Sequence, residues 1–146
     1  MNLETVKFLI VEDDDDHAKI IERSLTRNRP NNDVHRVADG LAALNYLRAN
    51  PPYEDRVRPD VVLLDLNLPK LGGHDVLEQI KSDESLRSIP IVVLTTSDSE
   101  GDRELAYLHF ANSYLVKPMN FSQFRILVDE LSQYWGEFNR PPQSTH

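Results

Sequence analysis

Three short aliphatic runs limit what this chain can fold into more than any other feature. Residues 6–11 (Val-Lys-Phe-Leu-Ile-Val), 61–64 (Val-Val-Leu-Leu) and 91–94 (Ile-Val-Val-Leu) show no polar alternation. A strand with one wet face alternates apolar and polar residues, so unbroken runs of this length suit strands buried on both faces. Two weaker strands are read at residues 34–37 and 114–116. Between the runs lie segments of helical period. Residues 17–29 carry Ile20, Ile21, Ser24 and Leu25, with Asp15 and Asp16 near the start as cap and dipole partners. Residues 40–49 carry Leu41, Leu44 and Leu47 on one face. Further helices use Val76, Leu77 and Ile80, then residues 100–110. The last starts near Phe121 with Phe124, Leu127, Val128, Leu131 and Trp135 at helical spacing. Residues 50–59 form a long polar loop, 67–73 a shorter one, and Pro141-Pro142 ends the order.

Five strands alternating with five helices predict an α/β fold: a doubly wound parallel sheet covered on both faces. The chain of 146 residues suits one domain spanning 1–146, with a core over about 6–131 and a helix extension and tail over 132–146. Ligands of such folds bind beyond the carboxyl ends of the strands. Those ends carry Glu12, Asp13, Asp65, Thr95 and Lys117.

Three carboxylates would then meet one hydroxyl and one ammonium. Two carboxylates about 4 Å apart repel by on the order of 4 kcal/mol at an effective dielectric of about 20. A hard divalent cation offsets that repulsion, and few oxygen ligands suit magnesium. An aspartate so placed is able to act as a nucleophile toward phosphorus. The net charge of −8 supplies no basic footprint for nucleic acid. No stretch is apolar enough to span a bilayer, and no secretory segment opens the chain. With no cysteine, a cytoplasmic location is expected.

Plainer readings stand beside these. Asp14, Asp15 and Asp16 read as helix start and surface. A calcium loop counted from Asp13 fails, because Ala18 and Ser24 stand at its sixth and twelfth positions. Gly72-Gly73 reads as a turn without the Lys-Ser/Thr of a phosphate loop. The five histidines show no metal spacing and read as ordinary. On pattern alone Thr95 is also a strand-end hydroxyl, Lys117 a surface lysine and Tyr114 plain core.

Four segments in order resemble the receiver domains of two-component response regulators: Phe8-Leu9-Ile10-Val11-Glu12-Asp13; Val61-Val62-Leu63-Leu64-Asp65-Leu66-Asn67-Leu68-Pro69 with Gly72-Gly73; Pro90-Ile91-Val92-Val93-Leu94-Thr95; and Tyr114-Leu115-Val116-Lys117-Pro118. The long loop before the third strand, the stretch Val93-Leu94-Thr95-Thr96-Ser97 and the aromatic tail look most like the single-domain regulators that serve bacterial phytochrome kinases. The resemblance implies a flavodoxin-like receiver fold with strand order 2-1-3-4-5. It implies Asp65 as phosphoacceptor and Mg2+ held by Asp13, Asp65 and the Asn67 carbonyl, with Glu12 acting through water. Thr95 and Lys117 would contact the phosphoryl group, and Tyr114 would be the switch aromatic. Glu12 stands where Asp is commoner, and Met119 where Phe is frequent. The implied partners are a histidine kinase, such as a bacterial phytochrome, or a phosphotransfer protein, and a second copy through the last-helix surface. The chain would signal rather than turn over substrate. A competing reading is a haloacid-dehalogenase-type magnesium phosphohydrolase, whose second acidic position is here Asn67. A vestigial pocket on an adaptor is a third.

Overall fold

In a computed structural model describing residues 5–140, the elements alternate as β1 (Lys7–Val11), α1 (Asp15–Asn28), β2 (Asp33–Val37), α2 (Gly40–Leu47), β3 (Val61–Leu64), α3 (Gly73–Ser82), β4 (Ile91–Thr95), α4 (Glu100–Leu108), β5 (Ser113–Val116) and α5 (Phe121–Gln133). All four strand pairings are parallel, in the order β2-β1-β3-β4-β5. The doubly wound reading and its strand order therefore hold.

The unbroken aliphatic runs are explained by two cores. Leu9, Val11, Val62, Leu64, Ile91 and Val93 point to one face, against Leu44 and Leu47 of α2 and Val76, Leu77 and Ile80 of α3. Phe8, Ile10, Val61, Leu63, Val92 and Leu94 point to the other, against Ile21 and Leu25 of α1 and Phe124 and Val128 of α5. Each fully buried aliphatic side chain contributes roughly 1.5–3 kcal/mol, so neither face has room for a polar residue in the central strands.

Four details differ from the sequence reading. Helix α1 starts at Asp15, and its cap is Asp14, whose Oδ1 accepts the N–H groups of Asp16 (2.9 Å) and His17 (3.1 Å). Leu41 is 51% exposed; Gly40, pressed against the Leu71 carbonyl, takes the inward position, and Leu41 stands one helical step off that face. Helix α4 stops at Leu108, and Phe110 turns the chain with a left-handed φ of 67°. After α5 the backbone winds into a π-helical turn, Tyr134–Phe138, which carries Trp135 back against the second core. Pro141 and Pro142 lie outside the described residues.

The long loop before β3 is tied down rather than loose. Arg56 donates from Nη2 to the Leu47 carbonyl at 2.8 Å, and Tyr46 donates its hydroxyl to the Val57 carbonyl at 3.2 Å. The His35 ring stacks on Tyr46 with centroids 4.4 Å apart. Holding this loop fixes the entry to β3, and with it the direction in which Asp65 leaves the sheet.

Candidate functional site

The backbone ladder continues past the strand ends and fixes the pocket. Asp65 N–H donates to the Val11 carbonyl (3.0 Å), Glu12 N–H to Val37 (3.1 Å) and Lys117 N–H to Thr95 (2.7 Å). Gly73 lets α3 begin hard against this edge, since a Cβ there would meet the Asp65 carbonyl at 2.5 Å. Asn120 caps α5 just beyond Lys117-Pro118, its Oδ1 accepting from Ser122 and Gln123 N–H.

Glu12, Asp65, Thr95 and Lys117 are all buried, while Asp13 is exposed. Glu12, Asp13 and Asp65 each offer a carboxylate oxygen, all within 4.8 Å of one another. The Lys117 ammonium donates to Asp65 Oδ2 at 3.0 Å and to the Glu12 carboxylate. The second Asp65 oxygen accepts the Asn67 N–H at 3.2 Å, and the second Glu12 oxygen that of Asp14 at 3.1 Å. One ammonium cannot balance three carboxylates. Burial pushes the Glu12 carboxyl up to about 7; its hydrogen bond from Lys117 opposes the rise and the Asp65 charge adds to it. The donor set is all oxygen, partly buried and short of positive charge, and these residues fit a small hard cation.

Thr95 ends β4 with its hydroxyl accepting from Ser97 N–H at 3.4 Å. Tyr114 is half-buried on β5 and donates its hydroxyl to the Ser97 carbonyl at 2.8 Å, so it is tied to the loop that follows Thr95. Asn67 lies in the turn after Asp65 and reaches it through its backbone N–H.

Two histidines read as ordinary are part of this neighbourhood. His17 Nδ1 lies 3.0 Å from Lys117 Nζ. His74, at the start of α3, pairs through Nε2 with Asp102 Oδ1 (3.0 Å), and Ser97 donates to the other Asp102 oxygen (2.6 Å). Those hydrogen bonds, Ser97 before His74, hold the Asp102 carboxyl below the usual carboxylate range. The chain His74, Asp102, Ser97, Tyr114 thus links α3, α4 and β5 across the loop after Thr95. No spacing in the sequence announces these contacts, because each joins residues from different elements.

A family model described as the response regulator receiver domain matches residues 8–129. The chain is 47% identical over 134 residues to the probable methanogenesis regulatory protein FilR2 of Methanothrix harundinacea, covering 92% of this chain and 86% of that protein. It is 37% identical over 129 residues to the response regulator Rcp1 of Synechocystis, covering 88% of each. The crystal structure of the Mn2+-bound form of Rcp1 superposes with a TM-score of 0.90 over 94% of this chain and 99% of that one. The crystal structure of the phosphorylated cyanobacterial phytochrome response regulator RcpA superposes with a TM-score of 0.92 at 38% identity, over 96% of this chain and 100% of that one.

Proposed function

This chain belongs to the response regulator receiver domain family, and on that premise we propose that it accepts a phosphoryl group from a histidine kinase or phosphotransfer protein onto Asp65, in a magnesium-dependent reaction. The observation that carries this reading is the buried Asp65 carboxylate, bonded to Lys117 at 3.0 Å and grouped with Glu12 and Asp13. An Asp65 oxygen attacks phosphorus, the P–N bond of a phosphohistidine breaks, and its electron pair returns to the imidazole, which takes a proton from solvent. Asp13, Asp65 and the Asn67 carbonyl would hold the magnesium ion, with Glu12 acting through water. Bound there, magnesium neutralises charge on the phosphoryl oxygens. Thr95 offers a hydroxyl donor and Lys117 an ion pair to the same oxygens. As Thr95 turns toward the phosphoryl group, Tyr114 moves with the loop that its hydroxyl holds, and the change is read by partner proteins.

The family is one of signalling proteins rather than turnover enzymes. Asn67 further disfavours the phosphohydrolase reading, since an amide cannot serve as the proton-transferring acid. Incubation with acetyl phosphate and magnesium should give at most one phosphoryl group per chain, none with the ion chelated. Continuous release of phosphate from a phosphomonoester, without a labelled protein, would overturn the reading.

Magnesium affinity should fall as pH drops below about 7. Glu12 is raised, so it takes up a proton in the folded state in the window between the ordinary carboxylate range and about 7, and protonated ligands compete with metal. Calorimetric titration at about pH 8 and about pH 6 should show the weaker binding at the lower value, and Asp13→Ala should bind weakly at both. Equal affinities for wild type and Asp13→Ala would remove Asp13 from the ligand set.

The likeness to the phytochrome response regulator RcpA supports a phytochrome-type kinase as partner, and the family match over residues 8–129 supports one receiver domain there. A homodimer through the α5 surface is supported by exposed Phe121, Ile126, Tyr134 and Phe138. Trp135 packs on its own core and leaves that surface. A Tyr134→Ala, Phe138→Ala variant should sediment as the lighter species at concentrations where wild type is dimeric. Identical sedimentation at every concentration would exclude this contact.

A further inference from the structure

Lys117 has a third partner that the proposed chemistry leaves unused. An ammonium has three N–H donors and no acceptor. Lys117 Nζ faces three acceptors: the Glu12 carboxylate, Asp65 Oδ2 at 3.0 Å and His17 Nδ1 at 3.0 Å. Each N–H has one destination. An ammonium has no acceptor, so in this pair His17 Nδ1 is the acceptor. The ring is fixed from outside the pocket. It stands edge-on to Phe124 with centroids 5.4 Å apart and to Phe121 at 6.3 Å, both interplanar angles being 89°. Phe124 is fully buried. Asp14 Oδ2 also lies 3.9 Å from Nδ1, while its Oδ1 caps α1.

We infer that His17 is a positioning residue for Lys117: its Nδ1 holds one N–H of the ammonium, so that the other two point at Glu12 and Asp65. The inference rests on the reading of Asp65 as phosphoacceptor. A lysine head on a flexible four-carbon stem is a mobile point charge. Asp65 must give up its hydrogen bond when it is phosphorylated, whereas His17, on the seam between α1 and α5, keeps its own and holds the head in place. When Asp65 gains a phosphoryl group, one N–H must pass from Asp65 Oδ2 to a phosphoryl oxygen. With His17 holding another, Lys117 makes that exchange without reorganising, as preorganised electrostatic stabilisation requires.

The test compares His17→Leu, which removes the acceptor but keeps apolar bulk, with His17→Asn, whose Oδ1 lies near the position of Nδ1. Acetyl phosphate with magnesium serves as donor, because so small a donor needs no protein docking surface. His17→Leu should slow labelling about tenfold, the factor carried by one hydrogen bond to a charged group. His17→Asn should recover to within about twofold of wild type, since it restores that bond. In wild type, long-range 1H–15N correlation should find His17 Nδ1 without a proton and Nε2 with one. Equal labelling of wild type and His17→Leu, failure of His17→Asn to recover, or a proton on Nδ1 overturns the inference and leaves the Asp65 reading standing. A wild-type protein that takes no label overturns both. Should His17→Leu not fold, His17→Asn and the tautomer still decide.

Discussion

Asp65→Asn abolishes phosphoryl labelling and leaves the fold in place; that is the expected result, and the geometry supplies both halves of it. Asparagine keeps the shape of aspartate, and its Oδ1 is able to go on accepting the Asn67 N–H now bonded at 3.2 Å. Its amide is a poor nucleophile and forms no acyl phosphate. The substitution also removes one of the two negative charges that share Lys117. Glu12 then shares the ammonium with no other carboxylate and loses the Asp65 charge that helps raise its carboxyl. Stability should therefore hold or rise, while labelling falls to background. Intact-protein mass after treatment with acetyl phosphate and magnesium checks the first half, and urea unfolding the second. Undiminished labelling of the variant would place the acceptor elsewhere.

Lys117→Ala should have the largest effect on stability. Lys117 and Glu12 have side chains only 1% exposed, and Asp65 6%. Removing the Lys117 ammonium leaves the two buried carboxylates without their shared partner, and breaking a buried pair in this way costs roughly 3–5 kcal/mol. The loss depends on pH. A carboxyl whose folded pKa is raised destabilises the fold as pH rises from the ordinary carboxylate range through about 7. In the variant Glu12 also loses the hydrogen bond that opposes that rise, so protonation relieves the repulsion further. The deficit should be smaller at about pH 6 than at about pH 8, and magnesium should recover part of it by supplying the missing positive charge. Urea midpoints at the two pH values, with and without the ion, check the sign. A variant as stable as wild type at about pH 8 without metal would mean that the Lys117 contacts carry no net stabilisation. The same variant should label poorly, since the phosphoryl oxygens lose their ion pair.

The sheet was legible because burial on both faces leaves a plain signature: Val61–Leu64 admits no polar residue, and Leu9 and Ile10 face opposite cores with equal demand for aliphatic bulk. Once those runs are strands of a parallel sheet, the residues that end them must share an edge, so topology alone brings Glu12, Asp65, Thr95 and Lys117 together. What escaped lies off the strands. His17 meets Lys117 across 100 residues of chain, and His74 meets Asp102 across 28; neither contact leaves a periodic trace. Helical spacing from Leu131 puts Trp135 against the second core, where it lies; what leaves no trace in that spacing is the wider turn around it, closed by Asn139 N–H donating to the Tyr134 carbonyl at 2.6 Å.

Direct localisation of the phosphoryl group tests the proposed function most sharply. Wild-type protein would be labelled with acetyl phosphate and magnesium, reduced with borohydride to convert any aspartyl phosphate to homoserine, digested, and sequenced by mass spectrometry. The expected result is homoserine at position 65, with aspartate intact at 13, 14, 15 and 16. Homoserine at any of those positions in place of 65, or a phosphoryl group on a histidine or hydroxyl side chain with Asp65 unmodified, would contradict the assignment of Asp65 as the acceptor.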